Sequence, residues 1–300
     1  MSADITALTL NRCDTGQWSR YAAIVGASPS KGARSPALWN AAFAAHGVDA
    51  VMLPMDASAE GLPRLLDALA ADPRFIGSAV AVPFKEDVAR WLGKRLTAET
   101  AVIGAVNCFH RDANGELIGR NTDGEGARAS FVAEFGELAG KSVLQLGAGG
   151  AGKAVAAYFA AAIGPTGSFA LAGRSAAARD YAHRVGARFV EWSDVAATLD
   201  GIDVLVNCTS VGAGATVGQS PVSERDLARL RPASLVYDII HIPKQSELVR
   251  LAGARDLRAL GGVGMNLEQA VLAYGHAAPA PRGADVTRAA MQVAADKLSS

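Results

Sequence analysis

The segment Gly147-Ala148-Gly149-Gly150-Ala151-Gly152 constrains this chain more than any other. It fits G-x-G-x-x-G, a weak pattern in isolation that gains physical meaning between a strand and a helix. Here SVLQLG precedes it and KAVAAYFAAAIG follows it, a strand-like run and a helix-like run. In that setting the first glycine permits a tight turn, the second lets the backbone approach a pyrophosphate, and the third lets helix and strand pack closely. Free N–H groups at the helix start then bind the phosphates. The competing reading is an ordinary glycine-rich turn. The context predicts a dinucleotide site on Gly147, Gly149, Gly150, Ala151 and Gly152.

The strand after this turn should end beside the adenosine ribose. An NAD site usually places Asp or Glu there, whereas NADP needs a cation for its 2′-phosphate. This strand ends Ala172-Gly173-Arg174-Ser175, and no acid follows until Asp180. Arg174 can stack on adenine and pair with the phosphate, and Ser175 can donate to it. The charge argument favours NADP, with NAD as the alternative. A solvated surface arginine is the plain reading of Arg174.

Strand and helix signals alternate on both sides of the turn. Downstream, SFALAG, RFVEW, DVLVNCTS and SLVYDII read as strands, with AAARDYAHRVG as a helix between the first two. Short continuous apolar strands separated by helices indicate a parallel sheet covered on both faces. Upstream, Tyr21–Ser28 reads as a strand entering a loop. Ser35, Pro36 and the apolar run to His46–Gly47 read as an N-cap, a first-turn proline and a terminal glycine. Asp49–Met55 reads as a strand, Leu62–Ala71 as a helix, and Ser78–Val82 as a strand stopped by Pro83. Asn114–Gly115 signals a hairpin. A helical stretch from Asp123 to about Leu138 connects the two parts, and two helical runs follow Met265.

With 300 residues, half of them hydrophobic, the chain suits two domains. Lys+Arg and Asp+Glu are both 29. Zero formal charge gives no electrostatic case for nucleic acid or an anionic membrane as partner. Three cysteines at wide spacing, Cys13, Cys108 and Cys208, predict neither a disulfide framework nor a metal site. A reduced, cytoplasmic protein is expected. The opening MSADITALTLNRCD lacks the pattern of a signal peptide, and the apolar run Lys153–Gly164 is too short to span a bilayer.

Taken together, the motifs resemble the shikimate dehydrogenase family from about Val25 to Ala270. They are VPFKE (Val82–Glu86), GAVN (Gly104–Asn107), GxNTDGxG (Gly119–Gly126) and GAGGAG, then DVLVNCTSVG (Asp203–Gly212), VYDII (Val236–Ile240) and the late Met265…Gln269-Ala270. Their joint order is specific for the superfamily and less so for one substrate. The resemblance implies an α/β protein of two domains. One is an N-terminal α/β substrate domain over residues 1–122, completed by C-terminal helices in 266–300. The other is a Rossmann-type, doubly wound parallel-sheet dinucleotide-binding domain over 123–265. It implies hydride transfer between a nicotinamide cofactor and a cyclic hydroxy-carboxylate such as shikimate or quinate. Aromatic amino acid biosynthesis is the family setting, and a homodimer is left open.

The family's catalytic Lys and Asp match Lys85 and Asp123. Asn107 and Gln269 match residues that hold ring hydroxyls. Asn207, Thr209 and Ser210 would line the nicotinamide side, with Gly262 and Met265 also on the cofactor. Losing a hydride from an alcohol requires removal of its proton, which a positioned amine can accept. A neighbouring carboxylate orients hydroxyl and ammonium through charge-assisted hydrogen bonds. In isolation Lys85 would read as a surface ion pair and Asp123 as a helix cap. Cys208 reads as buried packing.

The chain departs from the family where the substrate carboxylate binds. The family's Ser-x-Ser-Pro reads Ala33-Arg34-Ser35-Pro36 here, in a loop one residue longer that adds Lys31 and Arg34. Ser35 remains as a carboxylate ligand or only as a helix cap. The family's Asn-Val-Thr reads Ala79-Val80-Ala81, and His241 replaces a tyrosine after VYDII. His241 is either a substitute ligand or a packed residue. Three functions compete: a dehydrogenase of shikimate, quinate or a related ring acid; the same chemistry on a substrate with another anionic group or none; and a nucleotide-binding sensor.

Overall fold

Two sheets organise the computed structural model, which describes residues 4–16 and 18–298. The first comprises β1 (Tyr21–Gly26), β2 (Val51–Asp56), β3 (Phe75–Val80), β4 (Cys108–Arg111) and β5 (Leu117–Arg120), in the order β2-β1-β3-β4-β5. The pairs of β1 with β2 and β3 are parallel, whereas β3–β4 and β4–β5 are antiparallel. The turn between β4 and β5 is built by Asp112. Its Oδ1 accepts from Asn114 N at 2.9 Å and Glu116 N at 2.8 Å, and Gly115 takes φ +84°. That geometry is why Asn-Gly is a hairpin signal.

The second sheet comprises β6 (Ser142–Leu146), β7 (Ser168–Gly173), β8 (Arg188–Glu191), β9 (Val204–Asn207), β10 (Leu235–Asp238) and β11 (Arg258–Leu260). Every pair is parallel, in the order β11-β10-β9-β6-β7-β8. The strand period of two sends alternate residues into separate cores. Val143, Phe169, Leu171, Val204 and Val206 enter one buried cluster, and Leu144, Ala170, Ala172 and Leu205 enter another. A sheet buried on both faces needs the near-continuous apolar strands seen in the sequence. The order reverses direction between β6 and β9, the switch point at which open α/β sheets bind ligands beyond their carboxyl edge.

Contacts divide the chain into two compact units, residues 1–122 with 270–300, and residues 123–269. The first break falls between Thr122 and Asp123, and the second inside the continuous helix Val263–Ala277. In the first unit, Trp39 and Phe43 of helix Ser35–His46 pack on Tyr274, with ring centroids 5.4 and 5.2 Å apart. Helix Ala284–Lys297 also packs on Ser35–His46. Aromatic pairs of this kind add about 0.5–1.5 kcal/mol beyond area burial.

One local expectation is corrected. Ser35 is the first helical residue and not the N-cap. Arg34 occupies the cap position in αR geometry without a side-chain cap bond. Leu38 N reaches Arg34 O at 3.2 Å, so the first turn closes one residue earlier than the Ser-Pro signal suggests. Gly47 ends the helix in left-handed conformation at φ 67°.

Candidate functional site

A cleft of about 390 Å³ lies over the carboxyl edges of β6, β7, β8 and β9. Gly147–Gly149, Gly173–Ser175, Trp192 and Thr209–Val211 are among its lining residues. Gly147 has φ +90°, and a Cβ there would come within 2.9 Å of Thr209 Cγ2. A Cβ on Gly152 would lie 2.7 Å from Gly147 O and 3.1 Å from Cys208 Cβ. A Cβ on Gly149 would meet nothing within 4 Å, so this backbone faces open space. Helix Gly150–Ala162 then begins with no side-chain cap, leaving first-turn N–H groups for a ligand. These features fit a pyrophosphate. The loop is fixed from below by Gln145, whose Nε2 donates to Gly147 O at 2.9 Å and Gly152 O at 2.7 Å.

Across the cleft, Arg174 lies with its guanidinium carbon 4.4 Å from the centre of the Trp192 ring. Ser175 caps helix Ala176–Arg184, accepting from Ala178 N at 3.2 Å, so its hydroxyl hydrogen remains available to donate. Thr209 and Ser210 line the cleft, but Asn207 does not. It is fully buried beneath them. Its Oδ1 accepts from Thr209 N at 2.9 Å and Thr209 Oγ1 at 2.7 Å, while its Nδ2 donates to Asp238 Oδ1 at 3.0 Å. Asp238 also accepts from Ser246 Oγ and Ile240 N. Burial outweighs these donors and lifts its carboxyl to about 6. Burial likewise holds the Cys208 thiol well above its ordinary value, as expected of a packing cysteine.

In the first unit, Lys85 opens helix Lys85–Leu92 directly after buried Phe84. Its carbonyl accepts from Val106 N at 2.8 Å, joining VPFKE to GAVN. Asn107 is buried, and its amide grips Thr122: Nδ2 donates to Thr122 Oγ1 at 2.9 Å and Oδ1 accepts from Thr122 N at 2.8 Å. Asn107 thereby holds the residue that precedes Asp123. In the loop after β1, two polar side chains bond within their own unit. Ser30 donates from N and Oγ to Asp56 at 2.9 and 2.5 Å, and Arg34 Nη2 donates to Ala295 O at 3.0 Å. Lys31 remains exposed, and Ser35 is half-buried at the helix start.

In the second unit, Asp123 begins helix Asp123–Phe135. The glycines of GxNTDGxG explain themselves here. A Cβ on Gly124 would lie 2.4 Å from Ala154 O, and one on Gly126 would lie 2.7 Å from Gln269 N. These absences bring Asp123's helix against Gly150–Ala162 and against the segment that carries Gln269. Gln269 Nε2 donates to Asn266 O at 2.8 Å. Gly262 passes so close to β10's exit that a Cβ would lie 2.0 Å from Ile239 O. Met265 belongs to the buried cluster of Phe131 and Tyr237. His241 is half-buried, just past Ile240. Gln145, Trp192 and Asp238 went unmarked in the sequence. The one available signal was their position at or next to strand ends that meet the cleft.

Residues 25–109 match the family model described as the shikimate dehydrogenase substrate binding domain. The chain is 30% identical over 248 residues to the shikimate dehydrogenase (NADP(+)) of Methanocaldococcus jannaschii, covering 80% of this chain and 85% of that one. A solved shikimate dehydrogenase in complex with NADP+ superposes with TM-score 0.80 at 26% identity, covering 94% and 96% of the two chains. A ligand-free 5-ketofructose reductase from a Gluconobacter strain superposes with TM-score 0.73 at 26% identity, covering 93% and 99%.

Proposed function

The chain belongs to the shikimate dehydrogenase family, and from that premise we propose that it moves hydride reversibly between NADP(H) and a ring hydroxyl of shikimate, quinate or a related cyclic hydroxy-carboxylate. The observation that carries this reading is the cleft at the switch point, with uncapped helix N–H groups on one side and Arg174 on the other. The first suits a pyrophosphate and the second a ribose 2′-phosphate. NADP+ supplies the hydride acceptor when bound. The roles of the proton-handling residues rest on the family resemblance: Lys85 supplies the amine that takes the proton from the substrate hydroxyl, and Asp123 supplies a carboxylate that orients that hydroxyl. Asn107, through Thr122, fixes the backbone entering Asp123. By the same resemblance Gln269 offers its amide to a neighbouring ring hydroxyl, and Ser35 and His241 are the candidates for binding the carboxylate.

A second reading concerns that far end. Ala33, Ala79 and Ala81 offer no side-chain donors, and Ser30 and Arg34 are committed to Asp56 and Ala295. A carboxylate removed from water without donors is strongly disfavoured. A polyol or ketose lacking a carboxylate fits these residues, and the likeness to a 5-ketofructose reductase supports it. No helix among the described residues is long and apolar enough to cross a membrane. The free cysteines fit a cytoplasmic setting. A spectrophotometric screen of ring hydroxy-acids and neutral polyols with NADP+ and NAD+ tests both readings. Turnover of ring acids supports the first, turnover of neutral polyols alone supports the second, and reduction of neither cofactor by any member overturns both.

A further inference from the structure

Trp192 lies at the end of β8 and lines the nucleotide cleft, yet no part of the proposed hydride chemistry uses it. It packs against the buried cluster that includes Val190 and Val195, so the indole is anchored from below. Above it lies the Arg174 guanidinium, 4.4 Å from the ring centre. The nearest strand carboxylate, Glu191, is already bridged to Arg179, which also sits over Phe189. Among the described residues no carboxylate pairs with Arg174. Its positive charge is therefore compensated within the chain by the π face of Trp192 and otherwise offered to the cleft.

We propose that Trp192 is a specificity-determining residue, which sets the preference for NADP over NAD by holding the Arg174 guanidinium flat at the cleft wall. The inference rests on the proposed NADP site and deepens it. A free arginine side chain samples many rotamers and must surrender them on binding a phosphate. An arginine already stacked on an anchored indole surrenders fewer, so more of its phosphate bond appears as affinity. Stacking leaves the in-plane N–H groups of the guanidinium unobstructed, and those are the groups that donate to phosphate oxygens. Tryptophan is the side chain best suited to this, because its ring attracts a cation most strongly. The advantage is confined to a ligand with a phosphate on the adenosine ribose. An indole that simply stacked on adenine would help both cofactors equally.

The test is calorimetric titration of the whole chain with NADP and with NAD, for the wild type, Trp192→Leu and Trp192→Phe. Leucine keeps apolar packing and removes the π face; phenylalanine restores a π face. Trp192→Leu should weaken NADP binding about threefold to tenfold and leave NAD within about twofold, whereas Trp192→Phe should recover most of the preference. In turnover assays the loss should appear in KM for NADP and not in KM for NAD. Equal losses for the two cofactors, or an unchanged ratio in Trp192→Leu beside a wild type that prefers NADP, would overturn the role of Trp192 alone. A wild type that prefers NAD would overturn the NADP assignment and this inference together.

Discussion

The side-chain amide of Asn207 donates to Asp238 Oδ1 at 3.0 Å, and both residues are fully buried. The same amide accepts both the N–H and the hydroxyl of Thr209, so one side chain ties the ends of β9 and β10 to the loop lining the cleft. Asn207→Ala leaves two half-buried Thr209 donors and the buried Asp238 acceptor without this partner, each at a cost of up to about 1–3 kcal/mol. The variant should lose about 2–4 kcal/mol of stability and bind nucleotide more weakly. A wild-type urea midpoint together with wild-type affinity would show that the loop holds itself.

Lys85→Ala should lower kcat by at least about 100-fold, the lower end for losing a general acid–base group. Affinity for NADP should barely change, because the glycine-rich cleft lies wholly in the other unit. Stopped-flow turnover beside cofactor titration checks both halves. Near-full turnover on the best substrate would remove Lys85 from the chemistry.

Arg174→Ala should cost NADP more than NAD, because only NADP carries the extra phosphate. A charge-assisted bond worth about 1.5–3 kcal/mol moves the preference by roughly tenfold or more. The ratio of kcat/KM values for the two cofactors is the readout, and an unchanged ratio contradicts the assignment.

The carboxylate end of the substrate site gives a gain-of-function test. Ala33→Ser with Ala81→Thr restores two donors, each worth about 1.5–3 kcal/mol to a charged group. The pair should raise kcat/KM for shikimate by a factor of at least roughly ten. Wild-type activity on shikimate already at the level of the family would show that the rebuilt loop still takes a carboxylate.

Two buried groups give opposite pH signs. Burial, with His276 and Arg120 nearby, lowers His110 from 6.5 to about 4, although Asp112 opposes this. The unfolded chain then binds the proton first, so the contribution of His110 is present above pH 6.5 and lost as pH falls toward 4. Asp238, raised from 3.8 to about 6, contributes stability below its unfolded value and loses it as pH rises through 6. The loss at His110 amounts to about 3 kcal/mol. Asp238→Asn should therefore make stability fall more steeply on acidification, and His110→Gln should flatten the fall. Denaturant midpoints between pH 4 and 7 measure both slopes, and parallel slopes for all three proteins would refute the assignment.

The sequence by itself determined the features that depend on the chain's near neighbours. The glycine-rich turn is one, because a backbone at φ +90° and a close helix approach exclude side chains wherever they occur. The apolar strands of the parallel sheet are another, because burial on both faces demands them. The Asn-Gly hairpin and the Gly47 terminus follow from local backbone geometry in the same way. Tertiary structure alone decided what distant residues meet. Asn107 on Thr122, Asp238 beneath Asn207 and Trp192 beneath Arg174 are joined across different strands and loops. The same holds for Arg34, which the sequence shows only as an added charge in the loop and whose guanidinium bonds Ala295, 261 residues away. A side chain's partner is set by which segments the fold brings within hydrogen-bonding distance, and no local pattern of residues carries that information.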